Sequence, residues 1–151
     1  MTVRKVVNYP ARVLKGLAGP VGEIGASELA LASDLVDTMY DAPGCVGLAA
    51  PQLGVPLRAF VLDVSVVRKP PEGNHGLVVL LDPELLLAHG SDLKREGCMS
   101  VPDFTCDVRR ATHVVVRGHT PEGEVRTVEA NGFEARALQH ELDHLDGLLV
   151  L

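Results

Sequence analysis

His140-Glu141-Leu142-Asp143-His144 places two imidazoles four residues apart, with a carboxylate directly after the first. On a helix that spacing sets both rings on one face, one turn apart. Two such rings can hold one metal ion, and the glutamate beside them can move protons. H-E-x-x-H is a short pattern, and a polar helix face with two solvated histidines is the plainer alternative. Ala135, Ala137 and Leu138 just upstream put the stretch on a half-buried helix, which favours the metal. A third ligand is needed if one tetrahedral position is to stay open for water. Cys98 is the best candidate, because a metal would stabilise its thiolate; a small buried apolar residue is the alternative. Cys45 and Cys106 are read as buried apolar residues of that kind. His75, His89, His113 and His119 lack ligand spacing and read as structural or solvated. Asp143 and Asp146 face solvent or orient a ligating imidazole.

The rest of the chain must position those groups. Its 151 residues suit one domain, and 46% apolar with 23% charged residues reads as globular. A net charge of −6 argues against nucleic acid as the main partner. No apolar run approaches a membrane span, and Met1 to Lys5 begins neither a secretory nor a transit segment, so the cytoplasm is the expected compartment. An odd number of cysteines without C-x-x-C argues against a disulfide framework and for a free or metal-bound thiol.

Leu29, Leu31, Leu35, Val36 and Met39 share a helical face, predicting a helix from about 27 to 41 with Ser27 as N-cap and Asp41-Ala42-Pro43-Gly44 as its stop. The small residues and glycines of 44–54 let another backbone approach closely. Buried strands are expected at Leu57 to Val64 and Leu77 to Leu81, the second ended by Asp82-Pro83, with Leu85 to His89 extended or bulged. Glu96 to Pro102 reads as a strand edge or turn, and His113 to Arg117 pairs with Glu124 to Ala130 as a hairpin. A last helix from about 133 to 146 closes at Gly147. Without a repeating βαβ pattern, this is α+β with a mainly antiparallel sheet.

Three segments together resemble the peptide deformylases: Val46-Gly47-Leu48-Ala49-Ala50-Pro51-Gln52, Glu96-Gly97-Cys98-Met99-Ser100 and Gln139-His140-Glu141-Leu142-Asp143-His144. They stand in the family's order at compatible spacing, and Tyr9-Pro10, Met39-Tyr40 and Asp82-Pro83 also match. The resemblance implies that Cys98, His140 and His144 bind one divalent ion, Fe(II) first, with Zn, Ni or Co able to replace it. It implies that Gln52 and the backbone N–H of Met99 stabilise the formyl oxygen, and that Glu141 transfers the proton. The substrate, an N-formylmethionyl peptide of a nascent chain, would lie along Val46, Gly47 and Gly97. Its methionine would fill a pocket walled by Val46, Met99, Phe133 and Ala137. A monomer with transient ribosome contact completes the expectation.

Two departures stand out. Cys45 occupies the place of the first glycine of the family's Gly-x-Gly, or one residue is inserted there; a side chain at that place narrows the cleft and adds an oxidisable thiol. Cys45-Val46-Gly47-Leu48, Phe104 and Cys106 also resemble organellar-type members. Family members usually continue past the position of Gly147 with a strand or helix, a piece that carries no catalytic residue. Other readings are a deformylase specialised for another N-formyl compound, an inhibitor-resistant second copy, a general metallopeptidase, or a peptide binder without turnover.

Overall fold

Phe60 and Leu62 point to one face of a strand, Ala59 and Val61 to the other, and all four are fully buried. A strand buried on both faces needs a layer on each side. The computed structural model, which describes residues 2–149, supplies them with two helices. The strands are β1 (Gly47–Ala49), β2 (Ala59–Asp63), β3 (Leu77–His89), β4 (Asp92–Cys98), β5 (Val101–Arg110), β6 (His113–His119) and β7 (Val125–Asn131). The helices are α1 (Ala26–Asp41) and α2 (Gly132–Leu145). An antiparallel sheet runs in the order β1-β2-β3-β6-β7, and β4 pairs with β5 in a separate two-stranded sheet. Leu35 and Met39 of α1 pack with Ala59 and Val61, while Ala135, Leu138 and Leu145 of α2 pack with Phe60 and Leu62. The expected α+β class with a mainly antiparallel sheet and a C-terminal helix is what the chain adopts.

Several boundaries differ from expectation, each for a local reason. The N-cap of α1 is Gly25, not Ser27. Glu28 reaches back to accept the Gly25 N–H at 2.8 Å, and Ser27 lies inside the helix with its hydroxyl on the same carboxylate. Asp82-Pro83 does not end β3. The strand bulges between Leu81 and Glu84 and continues to His89. Pro83 offers no N–H to a ladder, so it sits in the bulge. Asp82 takes φ 50°, and its carboxylate accepts the N–H groups of Val21 and Gly22 at 2.7 and 3.0 Å. The β6–β7 hairpin is as predicted, with His113 opposite Asn131 and His119 opposite Val125.

The end of α2 is fixed from three sides. Leu148 N–H donates to Asp143 O at 2.9 Å and Gly147 N–H to His144 O at 3.2 Å, a Schellman cap with Gly147 at φ 75°. The Arg58 guanidinium donates to Leu145 O and Ala18 O and pairs with Asp146 at 3.0 Å. Asp146 therefore serves the helix terminus rather than an imidazole. A Cβ on residue 147 would stand 2.5 Å from Lys15 O. Gly147→Ala is thus expected to cost at least about 2 kcal/mol, from left-handed strain plus a backbone clash. Urea unfolding of the two proteins checks it; equal midpoints would refute the packing argument.

Candidate active site

Residue types and the two sheets bring the site together. β4 ends at Cys98, α2 presents His140 and His144, and the Sγ and ring nitrogens of the three lie within 4.8 Å of one another. Cys98 Sγ is 3.2 Å from His144 Nε2, and the two imidazoles meet edge to face with centroids 5.0 Å apart. His144 is 1% exposed. Burial, then the positive charges of His140 and Arg110, push its pKa down to about 3, so the ring stays neutral; burial also opposes a charge on His140, but the hydrogen bonds to Cys98 and Glu96 outweigh it and raise that ring to about 10. Among the described residues, Glu141 Oε1 and His144 Nδ1 are buried polar atoms without a hydrogen-bond partner. A thiol, two imidazoles and an unsatisfied carboxylate oxygen gathered at the floor of one cleft fit a divalent metal with soft and borderline ligands.

Glu141 is 3% exposed, and burial raises its carboxyl to about 7. Its neighbour across the site is the backbone of Gly47, the first residue of β1. A Cβ there would come within 2.5 Å of Glu141 Oε2, so any larger residue at position 47 would have to displace this buried carboxylate.

Behind these three side chains lies a charged cluster. Glu96 Oε1 lies 3.2 Å from His140 Nδ1, which turns the other ring nitrogen of His140 toward Cys98 and His144. The same carboxylate accepts two hydrogen bonds from Arg110 and pairs with Arg136 at 2.9 Å. Burial alone would raise Glu96, but the bonds from His140 and Arg110 hold it down at about 2. Arg136 also donates to the carbonyls of Asp92, Lys94 and Val108, fastening the β4–β5 hairpin to α2. Asp143 does not touch an imidazole; it pairs with Arg110. Glu96, Arg110 and Arg136 were not singled out by sequence reasoning. Two of them had a visible signal: Glu96 precedes the Gly97-Cys98 pair, and Arg136 stands one helical turn before His140 on the same face.

Gln52, in the 3-10 turn Ala50–Leu53 that follows β1, is 2% exposed. Its Oε1 accepts the Ala49 N–H at 3.0 Å, and its Nε2 donates to Ser100 Oγ at 3.1 Å and Cys98 Sγ at 3.6 Å. Met99 lies in the two-residue turn between β4 and β5. A cleft of about 540 Å³ opens beside these groups, and Val46, Gly47, Gly97, Met99, Phe133 and Ala137 all line it. Cys45 lines it too. Its thiol donates to Gly47 O at 3.2 Å, and burial pushes it up to about 11, so it stays protonated. The remaining histidines stand apart from the cluster. His75 clasps Glu134 at the start of α2 at 2.7 Å, and His113 bonds Asn131.

The family model for polypeptide deformylase matches residues 3–151. The chain is 43% identical to a peptide deformylase of Thermodesulfovibrio yellowstonii over 151 residues, covering 100% of this chain and 88% of the relative. Against that of Halothermothrix orenii the identity is 46% over 151 residues, covering 100% and 93%. The Met-Ala-Ser-bound crystal structure of the class I type b peptide deformylase from Acinetobacter baumannii matches with a TM-score of 0.90 at 34% identity, covering 99% of this chain and 96% of that one. With its three motifs meeting at one buried cleft, the chain belongs to the polypeptide deformylase family, metal-dependent hydrolases that remove N-formyl groups from nascent peptides.

Proposed function

We propose that this chain removes the formyl group from N-formylmethionyl peptides of nascent proteins, releasing formate and a free amino terminus. One observation carries the reading: Cys98, His140 and His144 converge within 4.8 Å, with Gln52 and Glu141 beside them. The three ligands would hold one divalent ion, Fe(II) in the cell, with Zn, Ni or Co as alternatives. When bound, such an ion supplies the Lewis acidity that makes water a nucleophile near neutral pH.

The chain's own groups do the rest. Glu141, its carboxyl raised to about 7 by burial, takes a proton from the attacking water and delivers it to the leaving amine. Negative charge grows on the formyl oxygen, and Gln52 Nε2 and the Met99 N–H donate to it. β1 is the edge strand of the main sheet, and β4 pairs on one side alone. A peptide can therefore pair with Val46 and Gly47 on one side and Gly97 on the other. Its methionine side chain would enter the apolar part of the cleft between Val46, Met99, Phe133 and Ala137. The reading carries with it a monomer that works in the cytoplasm with brief ribosome contact. Among the described residues, no helix is long and apolar enough to cross a membrane.

Formate release from formyl-Met-Ala-Ser by anaerobically purified protein, with metal analysis of the same sample, is the test. The expected result is formate and free amine in equal amounts at about one metal per chain. Cleavage of casein without formate release would overturn the assignment.

A further inference from the structure

The segment Val7–Tyr9 belongs to no strand, yet it touches both halves of the oxygen-binding site. Val7 N–H donates to Gln52 O at 2.7 Å, and Tyr9 N–H donates to Ser100 O at 2.7 Å. The Gln52 side chain closes the ring by donating to Ser100 Oγ at 3.1 Å. Ser100 is fully buried. Gln52 follows the edge of the main sheet, whereas Met99 and Ser100 belong to the turn of the separate β4–β5 hairpin. Among the described residues, the Tyr9–Ser100 bond is the one backbone hydrogen bond that ties the turn end of this hairpin to the rest of the chain.

The strap is itself anchored. Arg4 N–H donates to Thr38 Oγ1 on α1 at 2.9 Å, and the Arg4 guanidinium donates to Leu53 O at 3.2 Å and pairs with Asp34 at 3.6 Å. α1, the turn carrying Gln52 and the turn carrying Met99 are thus joined by one short run of chain.

We propose that Val7–Tyr9, acting with Ser100, is a positioning element that sets the separation and orientation of the two formyl-oxygen donors. The inference rests on the function proposed above. With Oε1 held by Ala49, the Gln52 amide can present only its N–H₂ end, and Ser100 limits where that end can stand. A donor misplaced by a fraction of an ångström loses transition-state stabilisation without losing ground-state binding. The strap would therefore act on kcat rather than on KM.

The test is a pair of double-mutant cycles on the full, metal-loaded chain, read as kcat, KM and metal per chain. Val7→Pro deletes the strap's N–H to Gln52, and Ser100→Ala deletes the side-chain link. Each is expected to lower kcat about tenfold with KM and metal content unchanged. In a Gln52→Ala background, each is expected to cause a clearly smaller loss, because only the Met99 donor is left to be misplaced. A full tenfold loss in that background, or a change confined to KM or metal content, would overturn the proposal. If Val7→Pro does not fold, the Ser100→Ala cycle decides by the same criteria. Absence of formate release by the unaltered chain would instead overturn the parent reading, and this inference with it.

Discussion

Glu141→Gln is expected to lower turnover by about 10²- to 10⁴-fold while metal content and peptide affinity stay near those of the unaltered chain. The replacement keeps the size of the side chain against Gly47, where even a Cβ would not fit, and removes only the ability to accept a proton. A second effect separates this role from a packing role. Burial holds the Glu141 pKa at about 7 in the metal-free protein, against an ordinary value of 4.5. The folded state thus keeps a proton that the unfolded state has lost, and between those values stability falls as pH rises. Below about 4.5 both states are protonated and the penalty vanishes; above about 7 it is complete, at about 3 kcal/mol as an upper figure. Metal-free Glu141→Gln should therefore resist urea better than the unaltered chain at pH 8, and no better at pH 4. Undiminished formate release by this variant would remove Glu141 from the chemistry.

Cys98→Ala is expected to abolish stoichiometric metal binding and reduce turnover to the metal-free background, a fall of at least about 10³-fold. Two imidazoles one helical turn apart remain, but the sulfur that completes the set is gone, and with it the partner 3.2 Å from His144. The fold should survive, because β4 is held elsewhere: by six register pairs with β5 from Asp92 to Gly97 and by the Arg136 bonds to the carbonyls of Asp92 and Lys94. Metal analysis alongside circular dichroism checks both halves. A variant that keeps one metal per chain would move the third ligand to another residue.

The H-E-x-x-H helix was legible in the sequence because helical spacing alone places its side chains: residues one turn apart share a face whatever surrounds them. Cys98 was legible as a donor type, and resemblance tied it to the helix. What the sequence concealed depends on contacts between elements. Asp143 lies within the motif and looked suited to orienting an imidazole, yet that task falls to Glu96 on a different strand. No local pattern says which of two carboxylates a folded hairpin will bring to a ring. The same holds for β3: Asp82-Pro83 carries a local stop signal, and the hydrogen bonds that let the strand continue come from Val21 and Gly22, some sixty residues earlier. Ser27 is not the cap of α1 because the helix begins before it, where the Glu28 carboxylate takes the Gly25 N–H and the Ser27 hydroxyl bonds that same carboxylate.

The division of the proposed ligand set between helix α2 and the β4–β5 hairpin has a kinetic consequence. His140 and His144 stand on a helix packed into the main apolar core, whereas Cys98 arrives on a hairpin fastened largely by buried guanidinium bonds. The hairpin adds few residues to the apolar core clusters, so it is expected to open locally at lower free energy than the packed helix. Each such opening carries the sulfur away and leaves the histidine pair in place. Metal would then exchange through an otherwise folded protein, at a rate set by hairpin opening and slowed by any ligand that bridges β1 to β4.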